Sequence, residues 1–156
     1  MISAAHLRNH VIQPVLERLD MDSLAAENLL LGTAAVETEL GTYLVQLSGP
    51  ALGIYQVEPA TYYDLLTNWL PYRAHVQTLL LPYQAREPEG VEQLVGNLYF
   101  ATAVARCIYR RVPERLPDAE DVAGMARYWK RYWNTPKGKG TVEKFVNAYA
   151  RCVGAA

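Results

Sequence analysis

Apolar residues along the chain recur at intervals of three and four, the spacing of one face of an α-helix. Leu7, Val11, Val15 (or Ile12) and Leu19 mark a first helix. Asp20 and Ser23 offer N-caps for a second helix over 24–40. That segment carries Leu24, Ala25, Leu29, Leu30, Leu31, Ala34, Ala35 and Val36 and is apolar nearly all round. Such a pattern predicts a central, buried helix, with Gly41 placed as its C-cap. Residues 41–58 break the rhythm with Gly41, Gly49, Pro50 and Gly53 and predict a small β-hairpin or ordered loop. Pro59 then opens a helix at its favoured first position, running to about residue 70. Further helices are predicted between Pro71 and Pro82, over 91–111, and from Pro117 or Asp118 to about residue 134. After a turn at 136–140, Thr141 caps a last helix to about residue 152, with Glu143 in its first turn. The expected fold class is mainly α, a helical bundle with a small β-hairpin or loop region at about 41–58. Neither a repeat nor a linker divides it, so one domain over 1–156 is expected.

Composition narrows the function classes. At 156 residues the chain can bury a sizeable core without a metal or disulfide staple. Lys plus Arg is 15 against 16 for Asp plus Glu, so the basic surplus of a nucleic-acid binder is missing and no nucleic-acid partner is expected. Cys107 and Cys152 lack CxxC spacing and read as buried free thiols. His6, His10 and His75 make no credible ligand set, so neither a metal nor a cofactor is expected. The N-terminus does not read as a signal peptide, and no run of about 18 apolar residues predicts membrane insertion. The imbalance of 11 Tyr and 3 Trp against 2 Phe favours rings with a polar handle, which suit wet surfaces such as sugar clefts.

The chemistry concentrates in Ala34-Ala-Val-Glu-Thr-Glu-Leu-Gly41. Glu37 stands near the C-terminal end of an otherwise apolar helix. Burial and the negative end of the helix dipole both disfavour its charged form and raise its pKa, as a general acid near neutral pH requires. The plainer reading points Glu37 to solvent at a helix end. Glu39 lies about 200° further round the helix and cannot share its face.

Glu37-Thr38 and, downstream, Gly53-Ile-Tyr-Gln-Val-Glu-Pro-Ala-Thr61 together resemble the soluble-type lytic transglycosylase family of the goose-type lysozyme superfamily. The family's first motif is a catalytic Glu followed by Ser at a helix end. Its second is Gly-Leu-Met-Gln-Ile-Met-Pro-x-Thr, matched here at Gly53, Gln56, Pro59 and Thr61. The third motif, Ala-x-Tyr-Asn-Ala-Gly, has no clean copy. Ala126-Arg-Tyr-Trp129 keeps Ala and Tyr, and Tyr132-Trp-Asn134 keeps Tyr and Asn with one residue inserted. The stretch from Tyr128 to Thr141 resembles small bacteriophage-encoded members.

The resemblance implies a lysozyme-like fold and cleavage of the β-1,4 bond between N-acetylmuramic acid and N-acetylglucosamine in peptidoglycan. Glu37 would protonate the glycosidic oxygen, then take the proton of the sugar's C6 hydroxyl as a 1,6-anhydro ring closes. Substrate contacts are expected from Thr38, Gly53, Tyr55, Gln56, Tyr128, Tyr132 and Asn134. Tyr55 would line the cleft floor, and Gly53 would admit the sugar close to the backbone. Glu58 would be a second carboxylate if the enzyme hydrolyses instead, although a residue just before Pro59 more simply faces solvent. The aromatic stripe Tyr128, Trp129, Tyr132, Trp133 reads as core packing or, at one or two rings, as a glycan platform. Lys130, Arg131, Lys137 and Lys139 would help to dock an anionic strand. The expected partners are peptidoglycan glycan strands and, if the protein travels in a phage particle, virion proteins. Synthesis in the cytoplasm without a signal peptide, then carriage in a virion or release to the periplasm by a phage route, fits this reading. The alternative from another class is a non-catalytic phage structural or host-target-binding protein on the same scaffold.

Overall fold

The computed structural model describes residues 1–154, and its architecture is mainly α. The chain begins with α1 (Ala4–Leu7), winds through a π segment (Arg8–Ile12) and continues as α2 (Gln13–Arg18). Pro14 has no N–H to offer the carbonyl four residues back, at His10. The wider π turn lies where that carbonyl must clear the proline ring.

Helix α3 (Leu24–Thr38) starts at Ser23, whose hydroxyl accepts from the N–H of Ala26 at 3.1 Å. It is the axis of the molecule. Leu29, Leu30, Leu31, Ala34 and Ala35 have essentially no exposed surface, and each leucine so buried contributes about 2 kcal/mol. The π segment of the first helix, α7 (Leu98–Arg110), α8 (Val122–Trp129) and α9 (Val142–Cys152) all pack on it. Gly32 lets α9 come close: a Cβ there would lie 2.2 Å from the ring of Phe145.

The end of α3 differs from the expected glycine cap. Glu39 (φ 50°) and Leu40 (φ 53°) already turn left-handed, two residues and one residue before Gly41. The N–H of Leu40 reaches the carbonyl of Ala34 and that of Glu39 the carbonyl of Ala35, each at 3.0 Å. Leu40 is driven into that conformation because it plugs the core with no exposed surface. Residues 41–58 then form an ordered loop rather than a strand pair. Two isolated antiparallel bridges, Val45 to Leu52 and Leu52 to Val57, are all that remains of a hairpin among the described residues.

Helix α4 (Pro59–Asn68) begins at Pro59 as expected. A 3-10 turn (Leu70–Tyr72) and α5 (Ala74–Leu80) follow. The expected long helix over 91–111 is broken into a 3-10 turn (Gly90–Glu92), α6 (Gln93–Gly96) and α7. Asn97 leaves helical geometry at φ −94°, ψ 87°, and its side chain both caps the N–H of Phe100 and donates to the carbonyl of Tyr83. Helix α8 starts later than Asp118, because the carboxylate of Asp121 caps Gly124 at 2.7 Å. It runs on into a second π segment (Lys130–Asn134), and Thr141 caps α9 as expected. Cys107 is buried and Cys152 half-buried, both as free thiols. No helix among the described residues is long and apolar enough to cross a membrane.

Gly53 joins the loop to α6. It sits at φ +77°, and a Cβ would fall 2.1 Å from the carbonyl oxygen of Leu94. Both the dihedral and the close approach exclude a side chain. Gly53→Ala should therefore destabilise the protein by about 2 kcal/mol, read as a lowered urea midpoint. An unchanged midpoint would show that the approach is not binding on the fold.

Candidate active site

A cleft of about 1020 Å³ opens between the end of α3, the 41–58 loop, α4, the end of α7, and the π segment that continues α8. Glu37 lies on its wall, half-buried, on the last turn of α3. The side chain is placed by three separate constraints. The helix beneath it is held on all sides. The backbone carbonyl of Glu37 accepts the hydroxyl of Tyr43 at 2.7 Å. Its carboxylate accepts the indole N–H of Trp129 at 3.0 Å through Oε1. Among the described residues no other donor reaches that carboxylate, so Oε2 is left free to exchange a proton.

Trp129 is itself immobile. Only 1% of its surface is exposed. The ring of Phe145 packs at 5.6 Å between centroids, and a Cβ on Gly140 would meet the indole at 2.4 Å. Burial pushes the Glu37 carboxyl up from 4.5 to about 7, with the Trp129 hydrogen bond pulling the other way. The group is therefore close to half protonated at neutral pH and can both give and take a proton there.

The remaining predicted site residues divide. Gln56, Glu58, Tyr132 and Asn134 line the same cleft as Glu37. Gln56 donates from Nε2 to the carbonyl of Gly53 at 2.9 Å rather than to Glu37, and presents its amide to the cleft. Glu58 is exposed at the start of α4. Tyr132 presents its ring, while its hydroxyl is buried with no hydrogen-bond partner among the described residues. Asn134 accepts from the Lys130 ammonium at 2.8 Å.

Thr38, Gly53, Tyr55 and Tyr128 are not on the cleft wall. Thr38 has no exposed surface, and its hydroxyl donates to the carbonyl of Ile54 at 2.8 Å while accepting the N–H of Gly41 at 3.0 Å. It fastens the loop to the helix end. Gly53 meets the backbone of Leu94, not an open face. Tyr55 is fully buried against Thr102, hydroxyl to hydroxyl at 3.0 Å, so it lies within the core and lines no floor. Tyr128 is turned inward, with its hydroxyl on the carbonyl of Glu114 at 3.0 Å. Lys130 is not a free docking cation either: its ammonium binds Asn134 and the carbonyls of Thr135 and Gly138, closing the 135–140 turn. Of the four basic residues expected there, Lys139 is the one on the cleft wall.

Sequence reasoning missed four contributors. Trp129 read as one ring of a stripe, yet it is the partner of Glu37. Tyr43 and Lys144 also stand on the cleft wall, as does Arg111, which is paired with Asp64. An indole N–H that is to be buried needs an acceptor, and a carboxylate at the end of an apolar helix is a natural choice; that was the available signal. No family model, curated protein or solved structure matches the chain.

Two outcomes test the electrostatics. The folded protein holds the Glu37 proton up to about pH 7, whereas the unfolded chain releases it near 4.5. Stability therefore falls as pH rises between those values, and the full penalty, roughly 3 kcal/mol, is present above the folded pKa. Glu37→Gln should be more stable than the parent at pH 8 and equal to it at pH 4, by urea unfolding at the two pH values. A constant difference across that range would refute the buried acid. Trp129→Phe removes the hydrogen bond that lowers the Glu37 pKa. Carbon-13 NMR of the labelled carboxyl should show it titrating higher than in the parent, and a lower or unmoved midpoint would contradict the contact.

Proposed function

We propose that the protein cleaves peptidoglycan at the β-1,4 bond between N-acetylmuramic acid and N-acetylglucosamine, as a phage-encoded lytic transglycosylase on a lysozyme-like scaffold. The observation that carries this reading is a single half-buried carboxyl, Glu37, poised at about 7 on the wall of a cleft lined by polar and aromatic side chains. Its resemblance to the family's Glu motif adds to that support.

The chain's own residues supply each step. Protonated Glu37 donates from Oε2 to the glycosidic oxygen as the bond to the muramyl anomeric carbon breaks. Trp129 stays on Oε1 and steadies the carboxylate that forms. The carboxylate then takes the proton of the muramyl C6 hydroxyl, whose oxygen closes on the anomeric carbon to give the 1,6-anhydro sugar. The cycle ends with Glu37 protonated again and consumes no water. Tyr132, Trp133 and Trp69 offer ring faces along the cleft, and Gln56 and Asn134 offer amides to the N-acetyl groups.

A hydrolytic reading rests on Glu58, the other carboxylate on the cleft wall. It would activate a water for direct displacement. Product analysis separates the two, since anhydro-muropeptides mark the transglycosylase and reducing ends mark the hydrolase. In either case Glu37→Gln should lower lysis of purified peptidoglycan by more than about 100-fold while the far-ultraviolet circular dichroism stays the same. Retained lysis in that variant would rule the assignment out.

A further inference from the structure

Residues 43–47 of the ordered loop are paired along one edge only. The N–H of Gln46 donates to the carbonyl of Ala51 at 3.0 Å, and the carbonyl of Leu44 accepts the N–H of Gly53 at 2.7 Å. These two bonds flank the antiparallel bridge from Val45 to Leu52, and Leu52 bridges on to Val57. In such a ladder alternate residues turn their backbone groups to opposite edges. Val45 therefore aims its N–H and C=O outward, and neither has a hydrogen-bond partner among the described residues. The same holds for the N–H and C=O of Tyr43 and Leu47, two residues to either side.

The side chains match this open edge. Tyr43, Val45 and Leu47 are 38%, 50% and 89% exposed, and their alternation places them on one face of the segment. No charged side chain occurs anywhere in residues 40–57. Strand edges that stay single are protected by a Lys, an inward-pointing charge or a Pro. Residues 43–47 carry none of these.

We infer that this edge pairs with the same edge of a second copy of the chain. The pairing does not depend on the proposed cleavage reaction. An antiparallel pair with its two-fold axis at Val45 sets Val45 opposite Val45 and Tyr43 opposite Leu47. Each Val45 N–H then donates to the Val45 carbonyl of the other copy, and the apolar side chains of both gather on one face of the joined ladder. An uncharged edge suits itself, because the two copies bring no like charges together, whereas a charged partner finds no complement in it. Three side chains and a short ladder bury less than the roughly 1,200 Å² of a standard interface, so the dimer is weak, with a Kd on the order of 10–100 µM. The pairing also reaches the cleft. Val45 lies off the cleft wall, but Tyr43 and Leu47 stand on it, and Tyr43 donates to the carbonyl of Glu37. Each copy thus brings its Leu47 to the other's Tyr43 at the cleft rim, and access to both clefts falls as concentration rises.

Sedimentation velocity of the full chain from about 2 to 300 µM, a range that brackets this Kd, tests the pairing. The parent should pass from monomer to dimer across it. Val45→Lys sets two ammonium groups face to face at the two-fold axis and should weaken association about tenfold, and Val45→Glu should do the same with two carboxylates. An equimolar mixture of the two variants should dimerise again, because residue 45 then meets the opposite charge. Circular dichroism of each variant should match the parent, since the side chain is half exposed. A parent that stays monomeric at the top of the range overturns the inference. So does a dimer that Val45→Lys leaves intact, or a mixture of the two folded variants that stays monomeric.

Discussion

The burial of α3 on every side over residues 28–35 is the constraint from which the other features follow. A helix buried all round over residues 28–35 leaves little water at its last carbonyls, so its end is finished by protein groups. The left-handed pair Glu39 and Leu40 returns two N–H groups to that end, and the Thr38 hydroxyl ties it to the loop. Only one polar side chain of the last turn, Glu37, then faces an open space. The same packing that makes the helix stable makes that carboxylate expensive to ionise. Stability and reactivity are therefore opposed at one residue, and the Trp129 hydrogen bond sets where the balance lies.

The site is assembled from parts of the chain that are distant in sequence but individually rigid. Trp129 is fixed by Phe145 and by the Gly140 backbone, so α9 and the 135–140 turn indirectly position the partner of Glu37. Lys130 secures that turn by gathering two carbonyls and the Asn134 amide oxygen. The π segment from Lys130 to Asn134 adds a wider turn just after Trp129. The aromatic residues that follow it therefore emerge at angles an α-helix would not give them. In this way Trp129 can serve the carboxylate while Tyr132 and Trp133 serve the cleft wall.

The helices were largely legible in the sequence because their signal is local, a face repeated every three or four residues. The breaks were less so. Asn97 and Asp121 reset helix boundaries through side-chain caps whose competition with a continuing helix is decided by tertiary contacts. Glu37 was legible for the opposite reason, as a local anomaly in an apolar run. Its neighbours in the motif were not, because proximity along a helix says little about direction. Each residue turns about 100°, so Thr38 faces the core although Glu37 faces the cleft. Trp129 lies 92 residues from Glu37, and no local pattern connects them.

The Gly53 contact has a mechanical consequence. The Thr38 hydroxyl holds the 41–58 loop at its start through the Gly41 N–H and again at the Ile54 carbonyl, beside the Gly53 backbone that is pressed against Leu94. Residues 41, 53 and 54 are therefore fixed to the helix end and to α6 before any ligand arrives. A ligand that enters the cleft meets a wall whose anchors are already in place, with Tyr43 and Leu47 as exposed side chains of its rim. The entropy of ordering that wall is lost once, when the chain folds, and is not lost again each time a strand arrives.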